Sequence, residues 1–108
     1  MGTFGTIGYQ QEPVRNETVA VGISNVTVAE DRNEDAPRKV IVIRNISPNA
    51  TDIITINFGL SQAVANAGIV LRQYESFTDT QDGGYMPFQG HINAICATAT
   101  GSLAIMER

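Results

Sequence analysis

The sequence predicts an all-β protein, an antiparallel β-sandwich or jelly roll that follows an extended N-terminal arm. Short runs of alternating or β-branched apolar residues recur along the chain, turn residues separate them, and no long segment has the spacing of an amphipathic helix. About seven short strands in 108 residues are typical of one sandwich domain. We therefore expect an arm at residues 1–17 and a single domain at residues 18–108.

The arm is defined by its composition. Three glycines, one proline and isolated apolar side chains occur in residues 1–17, with neither helical nor alternating periodicity. Phe4, Ile7 and Tyr9 are its bulky anchors, and an extended chain places Ile7 and Tyr9 on one face, where they can enter a partner's groove. Ordinary terminal disorder explains the same composition equally well.

The first strands are predicted after Thr18. Pairs of valines alternate with small or polar residues on both sides of residues 22–25, which have the character of a hairpin turn or a bulge. An acidic loop at residues 30–37 follows, with four carboxylates around Arg32. Its spacing lacks the alternate ligands and the turn glycine of a calcium loop, so the loop is expected to be solvated.

Residues 39–44, K-V-I-V-I-R, form the clearest strand. Four consecutive β-branched residues leave no polar face, so we expect this strand at the centre of a sheet and covered on both sides. A turn at residues 45–52 separates it from the alternating residues 54–58, which predict a half-buried strand. The two strands can pair as an antiparallel hairpin.

The second half of the chain continues the β pattern after one exception. Residues 60–68 are rich in alanine and end in glycine, which favours either one helical turn or an extended connection. A strand is predicted at residues 69–71, and residues 78–84 form a second acidic, glycine-rich loop. Residues 92–98 and 102–107 are predicted to form a terminal hairpin.

The composition excludes most catalytic chemistry. With one cysteine and one histidine, the chain can form neither an intramolecular disulfide nor a histidine metal cage. We expect Cys96 to be inert in the core and His91 to be structural or at the surface. No phosphate loop, nucleophile elbow or zinc motif occurs. We therefore expect no enzyme, no catalytic residue, no cofactor and no metal.

Charge and hydropathy limit the partners. Seven basic and eleven acidic residues give a net charge of −4, which disfavours nucleic acid. No segment approaches the roughly 20 apolar residues of a membrane helix, and the first ten residues do not resemble a signal peptide. We expect synthesis in the cytoplasm and no membrane partner.

Aromatic residues are the candidates for recognition. Tyr74, Phe77, Tyr85 and Phe88 could contact either a protein or a sugar, because aromatic faces serve both. The chain has no tryptophan, which weakens the sugar interpretation.

Two motifs carry a resemblance to a known family. The first is A-G-I-V-L-x2-Y-E-S-F at residues 67–77, and the second is Q-G-H-I-N-A-I-C-A-T-A-T-G-S-L at residues 89–103. With them, residues 39–108 resemble the small β-sandwich accessory proteins of tailed-phage virions. Those proteins carry a G-I-x-L-x2-G-E-S-F turn and an I-x-A-I-x-A-x2-T-G-x-L closing hairpin, and Tyr74 stands in place of their usual glycine. The matching residues are Gly68, Ile69, Leu71, Glu75, Ser76, Phe77, Ile92, Ala94, Ile95, Ala97, Thr100, Gly101 and Leu103.

The resemblance implies a head-decoration, cement, head-fibre or tail component that is usually a trimer or another symmetric oligomer. We accordingly expect a virion protein, most specifically a capsid decoration or cement protein. It would oligomerise, with a trimer favoured, and stabilise the head lattice by binding the major capsid protein or other virion proteins. The alternative is a receptor- or glycan-binding module of a phage fibre or tail that uses Tyr74, Tyr85, Phe88 and the loop at residues 79–84.

Overall fold

The computed structural model describes residues 14–108 and shows two four-stranded antiparallel sheets packed face to face. This arrangement confirms the predicted all-β sandwich. The strands are β1 (Arg15–Val21), β2 (Val26–Ala29), β3 (Val40–Asn45), β4 (Ile54–Phe58), β5 (Ile69–Leu71), β6 (Ser76–Thr80), β7 (Ile92–Cys96) and β8 (Gly101–Glu107).

The strand order identifies the topology. Sheet I has the order β1-β8-β3-β6, and sheet II has the order β2-β7-β4-β5. The chain passes from one sheet to the other at every connection except the one between β4 and β5. This order is that of an eight-stranded jelly roll built from two Greek keys. The sandwich and jelly-roll alternatives are thereby resolved in favour of the jelly roll.

Both hairpins predicted from the sequence are wrong. β3 pairs with β6 and β8, whereas β4 pairs with β5 and β7, so the turn after β3 leads into the opposite sheet. The same holds for β7 and β8, whose link at residues 97–100 crosses between the sheets. Alternation shows which side chains face the core, but it does not show which strand lies alongside.

Two strand assignments differ from the sequence analysis, and the first is β6 (Ser76–Thr80), which overlaps the loop predicted at residues 78–84. β1 begins at Arg15, so residues 15–17, which were assigned to the arm, pair with β8. Residues 59–68 form a loop without helical structure, the extended alternative of the two that were predicted. Among residues 14–108, no helix is long and apolar enough to cross a membrane.

The core lies between the sheets and is built from inward-facing β-branched side chains. Ile41 and Ile43 of sheet I contribute to it, as do Ile54 and Ile56 of sheet II, each of them at most 1% exposed. Cys96 is buried in the same cluster, as expected for a small apolar side chain.

The sequence analysis predicted that β3 is covered on both faces and that β4 is half-buried, and the structure shows the reverse. β4 is covered on both faces, because Thr55, on its outer face, is buried and its Oγ1 accepts a hydrogen bond from the Asn66 amide at 2.9 Å. β3 was predicted to be covered on both sides, but Val40 and Val42 remain half-buried on its outer face. The loop at residues 59–68 therefore covers sheet II, whereas no such loop within residues 14–108 covers the outer face of sheet I.

Candidate interaction surfaces

The outer face of sheet I is the first candidate surface. It comprises the side chains of β1, β8, β3 and β6 that point away from sheet II, which are every second residue of each strand. The strand register arranges most of them in two rows across the sheet. One row is Asn16, Met106, Val42 and Thr78, and the next is Thr18, Ala104, Arg44 and Ser76.

The centre of this face is apolar. Val40, Val42, Ala104 and Met106 are half-buried there, and Val42 and Met106 are direct neighbours in the register. Arg44 is the one charged side chain in the two rows. A solvated face of an antiparallel sheet usually carries polar side chains, so this composition is more typical of a surface that contacts another chain.

A shallow groove crosses the outer face of sheet I from β1 to β3. Thr18 and Ala104 are the small side chains of its lining, whereas Arg44 and Met106 are large. The lining includes Asn16, Thr18, Val42, Arg44, Ala104 and Met106.

The aromatic candidates do not form one site. Tyr74 lies in the link between β5 and β6, whereas Tyr85 and Phe88 lie in the loop at residues 81–91 that follows β6, so they occupy opposite ends of that strand. The Arg44 guanidinium lies 5.8 Å from the centroid of the Tyr74 ring. The structure thus keeps Tyr85 and Phe88 at one end of the sandwich and places Tyr74 at the other.

Tyr85 and Phe88 are both exposed, and the side chain of each contacts a neighbour within the domain. The Tyr85 hydroxyl donates a hydrogen bond to Asp79 Oδ2 at 2.7 Å, and this bond raises the pKa of Tyr85. The Phe88 ring packs edge-on against Phe58 with centroids 5.5 Å apart. The exposed fractions are 53% for Tyr85 and 42% for Phe88. The remaining candidates, Phe4, Ile7 and Tyr9, lie outside the described residues.

A cluster of charges surrounds Glu107 at the end of sheet I where the N-terminal segment enters. Its carboxylate contacts Arg38 Nε at 2.6 Å, Arg15 Nη1 at 3.1 Å and Arg32 Nη1 at 3.5 Å. Burial raises the pKa of Glu107, but the hydrogen bonds and charges of Arg38 and Arg15 lower it more, so the pKa lies below its ordinary value. Glu107 is therefore an ionised structural centre that fixes the start of β1 to β8.

Sequence reasoning missed this cluster, although one signal for it exists. Leu103, Ile105 and Glu107 alternate along β8, so Glu107 occupies an inward-facing position that requires a cationic partner. The partner could not be identified from the sequence, because Arg38 is separated from Glu107 by most of the chain.

Asp52 is a second buried carboxylate, and it joins two loops. Its Oδ1 accepts hydrogen bonds from the hydroxyls of Thr98 and Thr100, and its Oδ2 accepts one from the Asn49 amide. The Thr98 bond is the main reason that the pKa of Asp52 lies below its ordinary value; burial opposes it, and Thr100 and Asn49 assist. Through these hydrogen bonds, Asp52 joins the loop at residues 46–53 to the link at residues 97–100.

His91 lies beside two carboxylates that its sequence position did not reveal. Potential ligand atoms of Glu30, Asp31 and His91 lie within 4.8 Å of one another. However, the Asp31 amide donates a hydrogen bond to His91 Nδ1 at 3.2 Å, so this nitrogen already accepts a hydrogen bond within the domain. The arrangement joins two loops and does not present a formed metal site.

The chain matches no family model and no curated protein sequence. The fold and its surfaces define it as a jelly-roll domain with an accessible apolar face on one sheet.

Proposed function

We propose that this protein is a structural accessory protein of a tailed-phage virion, specifically a capsid decoration or cement protein. The observation that carries the proposal is the apolar outer face of sheet I, where Val40, Val42, Ala104 and Met106 are half-buried and no loop within residues 14–108 covers them as one covers sheet II. Contiguous apolar surface rimmed by polar residues is typical of protein–protein contact.

Two further features support the proposal. The jelly roll is a fold of viral capsid proteins, although lectins and cupins share it. Tyr74, which replaces the glycine of the phage accessory proteins, has a φ of 67°, a backbone conformation that favours glycine. The turn in this chain therefore has the backbone conformation for which those proteins would use glycine.

Decoration requires binding rather than catalysis. A protein that binds the assembled lattice, and binds free capsid subunits less well, stabilises the lattice by mass action in proportion to its occupancy. The ion pairs of Glu107 suit this role because they fix β1, and with it the entry of the arm, against the rest of sheet I.

Co-sedimentation with phage heads tests the proposal. The full-length protein is mixed with purified heads that lack it, the heads are pelleted, and bound protein is quantified against added protein. We expect saturable binding and a higher temperature of head disruption, with neither effect on heads of an unrelated phage. Failure to co-sediment, or saturable binding that leaves the disruption temperature unchanged, would contradict a cement role.

A receptor- or glycan-binding module is the second candidate. The exposure of Tyr85 and Phe88 in one loop favours it, because two accessible aromatic side chains at one end of a sandwich can contact a ligand. On this hypothesis, Tyr85→Ala abolishes binding to a receptor or glycan array and leaves the native mass unchanged. Tyr74→Ala, at the opposite end of β6, is the matched control. Equal binding by both variants would exclude this site.

A further inference from the structure

We propose that the outer face of sheet I of one copy binds the N-terminal residues 1–13 of a second copy, with Ile7 and Tyr9 as anchors. This inference rests on the proposed function, since it assumes that the protein acts as an oligomer. It identifies the surface that holds the copies together.

The position at which the chain enters the domain is the first argument. Arg15 pairs with Glu107 at the end of edge strand β1, and Val14 just before it is 46% exposed. The segment therefore starts at a corner of sheet I, next to the groove that begins at Asn16. Pro13 disfavours a helical backbone at the residue before it, which favours an extended rather than a helical occupant of the face.

The length of the segment fits the width of the face. Residues 4–9 span about 20 Å when extended, and the four strands of sheet I extend about 15 Å from first to last at the usual strand spacing. Residues 10–13 add about 13 Å of extended chain between these residues and the corner of sheet I.

The chemistry of the segment matches that of the face. Residues 1–11 contain no charged side chain, and the two rows of the face contain Arg44 alone. Ile7 and Tyr9 are large and project to the same side of an extended chain, whereas Ala104 and Thr18 in the groove are small. Large side chains can thus fill the space that the small ones leave, as at the centre of protein interfaces.

A photocrosslinker at position 9 tests the contact directly. Full-length protein with Tyr9→p-benzoylphenylalanine is prepared in isotopically light and heavy forms, mixed and irradiated. We expect light–heavy crosslinked dimers whose joined peptides include β3 or β8. Crosslinks confined to one chain, or joined to another surface, would overturn the proposal.

Complementary variants give a second, independent readout. Ile7→Ser with Tyr9→Ser removes the anchors, and Ala104→Arg obstructs the face; each should raise the dissociation constant of the oligomer at least about tenfold in sedimentation equilibrium. An equimolar mixture should recover association in part, because the intact arm of the face variant then meets the intact face of the arm variant. Val64→Arg, in the exposed loop over sheet II, is the matched control and should associate normally.

The folding of the face variant is checked by circular dichroism, and Thr18→Arg at the exposed edge of the groove replaces Ala104→Arg if the latter unfolds. A wild-type protein that stays monomeric, or an arm variant that associates normally, overturns the inference. Oligomers with the expected crosslinks but no head binding contradict the virion proposal alone. Head binding without these crosslinks contradicts arm exchange alone.

Discussion

The Arg38 guanidinium and the Glu107 carboxylate form an ion pair inside the domain, with Nε and Oε2 2.6 Å apart and side chains 0% and 4% exposed. Arg38 precedes β3 and Glu107 ends β8, so the pair joins the two central strands of sheet I. Arg38 also donates hydrogen bonds to the carbonyls of Glu30 and Phe88. One buried cation thereby closes the loops at residues 30–39 and 81–91 on the same end of the sandwich.

Arg38→Met should lower the free energy of unfolding by about 3–5 kcal/mol, because it leaves the buried Glu107 carboxylate without its closest cation. Urea denaturation measures the change. Arg72→Ala is the matched control: Arg72 is exposed, and the expected change is within about 0.5 kcal/mol. If Arg38→Met lowered the free energy of unfolding no more than Arg72→Ala does, the Arg38–Glu107 ion pair would not stabilise this end of the sandwich.

Glu107 should make stability depend on acid pH. Its pKa is lower in the folded protein than in the unfolded chain, so its contribution is complete above the unfolded value of about 4.3 and is lost as the pH falls through the lower folded value. Urea unfolding of the wild type and of Glu107→Gln at several pH values isolates this contribution. We expect a constant difference above about pH 5 that shrinks with further acidification. A difference that stays constant down to pH 2.5 would contradict the assignment.

The sequence predicted seven of the eight strands, because a strand is a local pattern, and it missed β6, which overlaps a predicted acidic loop. The run of β-branched residues at 40–43 and the alternation of Ile54, Ile56 and Phe58 both mark strands that the structure contains. Pairing is not local. The same alternation is compatible with a hairpin and with a crossover between sheets, so both predicted hairpins failed.

Coverage of the strand faces depended on distant segments. Thr55 is buried because the loop at residues 59–68 lies over it, which the polarity of a single threonine could not indicate. Conversely, Val40 and Val42 led to the prediction of a strand covered on both sides, and the structure covers one. Because Val40 and Val42 are apolar on the outer face of β3, they mark the outer face of sheet I as the candidate surface.

Gly101→Ala should destabilise the domain by about 1–3 kcal/mol, because an added Cβ would lie 2.5 Å from the Val21 carbonyl oxygen and 2.7 Å from Cys96 Sγ. The carbonyl belongs to the β1–β8 ladder and cannot move without breaking it. Gly84→Ala, where a Cβ meets no atom within 4 Å, is the matched control and should leave the urea midpoint unchanged. Equal midpoints for the two variants would show that β1 and β8 can separate at this point without loss.

Deleting residues 1–11 should separate folding from assembly. The contacts of Arg15 with Glu107 remain, so the free energy of unfolding, compared at a protein concentration at which both proteins are monomeric, should change by no more than about 0.5 kcal/mol. The native mass and the co-sedimentation with heads should both decrease, because the anchors Ile7 and Tyr9 are lost. A variant in which glycine and serine replace residues 1–11 keeps the length of the arm but removes its anchoring side chains, so it shows which of the two is needed. It should behave like the deletion, and a truncated protein that assembles as well as the full chain would exclude the arm from both proposals.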